Sequence, residues 1–266
     1  MIDFSYFPAE LQAFQDVFEK TRKKFVKITS KPSKNVELWQ SKFAGMPFLP
    51  MGVEYPTDGE GNYMYLLAQI NFEEVPPLDY LPQKGLLQIY IADNEMYGLD
   101  LGNPSEQVGF KVLFFPEIDK NNHQRDLPKL PKPKYSPFDK PFIAQKLEFS
   151  LQEEYASVGD LNLQYAMGDR YDEFEEILFQ NDFELADWLA SNVSNWGSKL
   201  GGYASFIQED PRYEEETFRK YDTLLLQIES TECIQWGDMG IAHFFINGEK
   251  LKKADFSDIL YNWDCG

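Results

Sequence analysis

Leu66-Leu67-Ala68-Gln69-Ile70 and Leu224-Leu225-Leu226-Gln227-Ile228 are one pattern written twice. Upstream of each lies a related stretch. Ser41-Lys42-Phe43-Ala44-Gly45-Met46-Pro47-Phe48-Leu49 resembles Ser198-Lys199-Leu200-Gly201-Gly202-Tyr203-Ala204-Ser205-Phe206-Ile207. Gly45 precedes Gln69 by 24 positions, and Gly202 precedes Gln227 by 25. Downstream, Gly85-Leu86-Leu87-Gln88-Ile89-Tyr90-Ile91 is answered by Gly240-Ile241-Ala242-His243-Phe244-Phe245-Ile246. The aromatic run Phe110–Phe115 is loosely matched by Phe256–Trp263. Similarity kept in order and spacing predicts two copies of one β-rich unit. Such a unit of two or three strands is marginal alone, so the copies are expected to share a core.

The remaining strand signals agree. Phe25–Ile28, Met64–Phe72, Gly85–Ala92, Phe110–Phe115, Phe142–Leu151, Leu224–Ile228, Ile241–Ile246 and Ile259–Trp263 are apolar or alternating runs bounded by turn residues. Short connections favour antiparallel pairing. Residues 8–24 predict a helix, with Pro8 at its first position and Leu11, Phe14, Val17 and Phe18 as its apolar stripe. Tyr171, Phe174, Ile177 and Leu178 keep helical spacing, as do Leu185, Trp188 and Leu189; Asn181 with Glu184 predicts a capping box between them. The expected fold class is α+β: mostly antiparallel β built from two internally repeated halves, with helices packed on the outside. Within one compact domain the expected divisions are an N-terminal helix and lead-in strand (1–34), a first β unit (35–127), a connector with a strand and acidic helices (128–197), and a second β unit (198–266).

Charge narrows the partners. The 266 residues carry a formal charge of −19. Phosphate backbones and anionic membranes repel a net anion, so no nucleic acid and no membrane is expected as partner. The charge is uneven: residues 148–216 hold 17 acidic and three basic side chains, while residues 120–147 hold seven basic and two acidic. In the basic stretch, Pro128-Lys129-Leu130-Pro131-Lys132-Pro133-Lys134-Tyr135-Ser136-Pro137, prolines remove donors and favour extended chain. It reads either as a connector or as a docking peptide for an acidic partner. The acidic face Asp172, Glu173, Glu175, Glu176 and Asp187 reads either as a solvated helix surface or as the meeting place for a basic protein partner. Cys233 and Cys265 are the two cysteines, and no basic-apolar leader opens the chain, which reads as a cytoplasmic protein with reduced thiols.

Site chemistry is sparse. His123 and His243 have no neighbouring ligand at metal-binding spacing. Asp58-Gly59-Glu60-Gly61-Asn62 lacks the glycine and the terminal glutamate of a calcium loop and reads as a turn. There is no GxGxxG, P-loop or GxSxG, so no cofactor and no catalytic residue is assigned. Gln69 and Gln227 sit inside apolar strands, where an unpartnered amide costs about 1–3 kcal/mol. They are either a structural amide network or ligand contacts in a cleft between the halves. Trp236, Asp238, His243, Trp263, Asp264 and Cys265 form a C-terminal cluster that reads as core, as the lining of a binding pocket or as a Cys265–His243 nucleophile pair.

Lys42-Phe43-Ala44-Gly45-Met46-Pro47, Leu67-Ala68-Gln69-Ile70-Asn71-Phe72, Leu81-Pro82-Gln83-Lys84-Gly85-Leu86-Leu87-Gln88-Ile89-Tyr90, Leu200-Gly201-Gly202-Tyr203 and Trp236-Gly237-Asp238-Met239-Gly240 resemble the YwqG family, a bacterial group of unknown function. The resemblance runs over about residues 25–264. It implies a cytoplasmic protein without established catalytic residues or cofactor. Family members sometimes lie near genes for secreted toxins, which implies an immunity or partner-binding role. The expected function is therefore a non-enzymatic binding protein neutralising a basic partner or toxin. The alternative is a small-molecule-binding protein or hydrolase using a cleft between the two units.

Overall fold

The computed structural model describes residues 4–180 and 183–266. Asn181, half of the expected capping box, lies outside the described residues, as does Asp182. Ten strands form one antiparallel sheet: β1 (Lys23–Pro32), β2 (Lys42–Phe43), β3 (Tyr65–Asn71), β4 (Leu86–Ile91), β5 (Phe110–Phe115), β6 (Gln145–Glu154), β7 (Lys199–Gly201), β8 (Thr223–Glu229), β9 (Ile241–Ile246) and β10 (Ile259–Asp264). Their spatial order is β10-β9-β8-β7-β1-β6-β2-β3-β4-β5. The two ten-residue strands lie at the centre, with Lys23 opposite Glu154 and Pro32 opposite Gln145. On either side the order is mirrored. β1 pairs with β7, and β6 pairs with β2. A bulge interrupts β3 between Leu66 and Ala68, and another interrupts β8 between Leu224 and Leu226.

The sheet curls until its two ends meet, making it nearly barrel-shaped. Phe110 of β5 packs at 5.3 Å from Tyr261 of β10, and Tyr261 stacks on Phe244 at 4.6 Å. The loop after β4 seals this seam. Its Met96 carbonyl accepts from the Trp263 indole (2.8 Å), its Tyr97 carbonyl from the Tyr261 hydroxyl (3.0 Å), and its Pro104 carbonyl from the Tyr261 backbone N–H. Covering exposed strand edges in this way prevents further edge-to-edge pairing. Inside lie Val26, Ile28, Phe43, Ile70, Leu87 and Phe244, among others. β3, β4 and β9 are buried along their whole length. Both of their faces are covered, which is why the sequence shows continuous apolar runs there rather than alternation.

Helices cover one outer side: α1 (Gln15–Lys20), α2 (Leu161–Met167), α3 (Tyr171–Phe179) and α4 (Glu184–Asn192). Phe14, Phe18, Leu163, Phe174, Leu178 and Leu189 form their shared apolar layer. The helix expected over 8–24 is shorter than its pattern. A 3-10 segment occupies Ala9–Phe14, α1 ends at Lys20, and Lys23 and Lys24 already belong to β1. The basic residues that suit a helix end here face Glu154 and Glu153 across the sheet instead. The strand expected from Phe142 starts at Gln145, leaving Phe142 and Ile143 exposed.

Candidate functional site

Three buried amide and imidazole side chains were expected either to line a cleft or to hold the structure. Gln69 is fully buried and uses all four hydrogen-bonding positions of its amide. Its Oε1 accepts from the Phe48 backbone N–H (2.9 Å) and the Gln88 amide (2.8 Å). Its Nε2 donates to the Leu38 and Gln40 carbonyls, both at 2.7 Å. Gln227 repeats the pattern. Its Oε1 accepts from Ser205 N–H (3.0 Å), and its Nε2 donates to the Asn195 (2.9 Å) and Gly197 (2.8 Å) carbonyls. Gln88 donates to the Phe48 carbonyl, and His243 reaches the Ser205 carbonyl at 2.7 Å from the same place in β9. A carbonyl partner makes Nε2 the protonated nitrogen and leaves Nδ1 bare. Burial pushes the His243 pKa down to about 3. These groups stitch the loops before and after β2 and β7 to the sheet.

The C-terminal residues divide. Trp236 is fully buried against Tyr97 (5.6 Å) and Trp263 (6.2 Å). Trp263 is half-buried at the barrel seam, and Asp238 is exposed on the turn before β9. His243 faces the opposite side of the sheet, under Phe206 at 4.5 Å. The cluster is therefore spread over two faces of β9–β10.

The acidic face takes a more definite shape. Asp172, Glu173, Glu175 and Glu176 project from α3 and Asp187 from α4, all exposed. Asp187 lines an apolar groove of about 330 Å³ between α3–α4 and the chain around Trp196, walled by Leu178, Phe179, Ala186, Leu189 and Val193, while the four α3 carboxylates lie on an open surface of their own. Phe179 belongs both to the acidic surface and to the groove. Beyond Trp196 a smaller hollow of about 170 Å³ continues past Glu153, Glu154 and Lys27. The groove and the hollow share Val193, Ser194 and Trp196 and form one trough, which the acidic α3 surface adjoins at Phe179. Its aromatic groups Trp196 and Phe179 are exposed, at 48% and 51%, and Phe183, at 55%, packs on Phe179. Exposed aromatic surface beside a polar rim is the composition of a recognition surface. The charge count pointed to the carboxylates; Trp196 carried no periodic signal, because its loop position is set only by the tertiary fold.

Two buried ionic clusters, which sequence patterns also missed, hold the chain around β7. Lys199 Nζ bonds Glu154 at 2.7 Å and the Tyr203 carbonyl at 2.9 Å. Arg212 pairs with Asp210 (2.6 Å) and Asp160 (3.3 Å), all three buried. Asp160 in turn accepts from Ala204 N–H, tying α2 to the chain after β7. On β2, Lys42 holds the place that Lys199 holds on β7. It donates to the Leu38 carbonyl (2.8 Å), and burial lowers its pKa to about 7.

A second cleft, of about 780 Å³, opens at the barrel seam. It is lined by Leu99 and Leu101 of the sealing loop, by Gln208, Glu209 and Glu215, and by Asn262 of β10. Gln69 and Gln227 do not line it. Among the described residues no group of three or more His, Cys, Asp or Glu is arranged to hold a metal ion, and no helix is long and apolar enough to cross a membrane. A family model described as a domain of unknown function, DUF1963, matches residues 41–265. No curated protein matches the chain.

Proposed function

We propose that this chain, which belongs to the DUF1963 family across residues 41–265, is a binding protein without a catalytic role, whose α3–α4 face receives a basic segment of a protein partner. The observation that carries this reading is the trough. Asp187 lines an apolar groove with aromatic walls, and four exposed α3 carboxylates adjoin it at Phe179. Carboxylates steer a basic partner and fix its register, and the aromatics supply the buried anchor contact. Neutralisation of a basic toxin is one form of this function, and the YwqG-type resemblance of the sequence agrees with it. The two β units are read as copies of one ancestral unit; the mirrored strand order, paired bulges and matching glutamine bonds support that reading. The test is capture of partners by the full chain and by Glu173→Lys/Glu176→Lys. Recovery of a basic protein by the wild type and its loss from the variant is the expected result. Equal recovery by both defeats the proposal.

A second reading, a small-molecule-binding protein, is favoured by the seam cleft, whose apolar floor meets Glu209, Glu215 and Asn262. Mass spectrometry of gently purified protein would detect a retained metabolite, and Leu260→Trp, which fills the floor, should abolish retention.

A further inference from the structure

The lysine-proline stretch is not a loose linker. Backbone N–H groups of Lys134 and Tyr135 donate to the two carboxylate oxygens of Asp93 (2.9 and 2.6 Å). The Tyr135 hydroxyl donates to Glu95 (2.7 Å), and Tyr65 of β3 donates to the Pro131 carbonyl (3.1 Å). Pro133 and Pro137 are buried, while Lys129, Pro131, Lys132 and Lys134 face outward. The stretch is a fastened strap that presents a proline knob among three ammonium groups. From Lys129 to Lys134 an extended chain of this type spans about 15 Å.

The trough has the complementary composition. Proline-rich extended segments are recognised by aromatic-lined grooves, and flanking lysines by carboxylates at the rim. The strap is fastened on Asp93, Glu95 and Tyr65, and neither these residues nor the strap itself lines the trough of the same molecule, which leaves the trough of another molecule as its partner. We propose that the Pro128–Pro137 strap of one copy of this chain docks into the trough of a second copy, with Pro131 against the Trp196 indole and Lys129, Lys132 and Lys134 facing the α3–α4 carboxylates. This rests on the reading of the trough as a docking surface. A strap already ordered in the free molecule loses little further entropy on docking. The net charge of −19 opposes approach at long range. That repulsion is screened beyond about 8 Å at physiological salt, whereas the strap contact is local. Association is therefore strongest at intermediate salt and weakens at about 1 M, where screening reaches about 3 Å.

The experiment is sedimentation velocity over a concentration series. Wild type should associate with increasing concentration. Lys129→Glu/Lys132→Glu and Glu173→Lys/Glu176→Lys should each weaken association by about tenfold or more, with unchanged melting temperature. The decisive sample is their mixture, in which every strap meets a trough of opposite charge; it should associate about as tightly as wild type, although each variant alone is about tenfold weaker or more. Trp196→Ala should weaken association without changing charge. Lys84→Glu/Lys253→Glu, an equal charge change elsewhere, should not. A wild type that stays monomeric throughout, a mixture that fails to associate, or an equal effect of the control pair overturns the inference. Capture of a basic partner by Lys129→Glu/Lys132→Glu is unaffected by that failure, so the two proposals fall separately.

Discussion

Replacing Gln69 by leucine tests the stitching role of the strand glutamines directly. Leucine fills a similar volume but removes four hydrogen bonds at once. The Phe48 N–H and one N–H of the Gln88 amide lose a buried acceptor, and the Gln40 carbonyl loses its Gln69 donor, while the Leu38 carbonyl keeps the Lys42 ammonium. Gln88 keeps its bond to the Phe48 carbonyl, and the part-buried site of the Gln40 carbonyl lets water replace part of the loss. Each buried group left unpartnered costs about 1–3 kcal/mol, so the sum is about 3–5 kcal/mol after the gain from burying leucine. That is a large fraction of the roughly 5–15 kcal/mol by which domains are stable. Urea unfolding should show a lower midpoint at constant slope, and hydrogen exchange should quicken at Phe48. Gln69→Glu adds a second arm. A carboxylate facing two carbonyls must take up a proton to donate, so this variant should lose more stability at pH 8 than at pH 5. A loss below about 1 kcal/mol for the leucine variant would refute the reasoning.

Other consequences are equally open to measurement. His243 is buried neutral, so its folded pKa of about 3 lies below the ordinary 6.5. Its contribution is complete above pH 6.5 and is lost as pH falls toward 3, to an upper bound of about 5 kcal/mol. His243→Gln, which places on β9 the side chain found at Gln88 on β4, should flatten the acid limb of a stability–pH curve. Lys199→Met leaves the Glu154 carboxylate buried without its cation and should cost about 3–5 kcal/mol by chemical denaturation. Adding Glu154→Leu to it should recover part of that loss, less the Tyr203 N–H bond. Gly202 has φ of +77°, and a Cβ there would lie 2.0 Å from Glu154 Oε1. Gly202→Ala should therefore lower stability by about 1–3 kcal/mol or more, read as a fall in melting temperature.

Much of the strand content was legible because it is local. Apolar runs such as Leu66–Ile70 and Ile241–Ile246 are bounded by turn residues, and their type follows from composition within a few residues. The helix expected over 8–24 ended early, because pairing of Lys23 and Lys24 with Glu154 and Glu153 outweighs a weak helical preference near the end. The acidic face was legible as a charge count. The groove beside it was not, since Leu178, Val193 and Trp196 become neighbours only when α3 and α4 lie on the outer face of the sheet.

By itself the sequence determined the antiparallel strands, the twice-written pattern around Gln69 and Gln227, and the separation of a lysine-proline strap from an acidic block. These depend on neighbours a few residues apart. The tertiary structure alone decided that β1 joins β7 while β6 joins β2, that the sheet curls until Phe110 meets Tyr261, and that Trp196 stands in a trough rimmed by carboxylates. The first two depend on contacts between residues a hundred or more positions apart, and the third on residues tens of positions apart. Such contacts are selected by which faces can be buried together, and no local pattern records that choice.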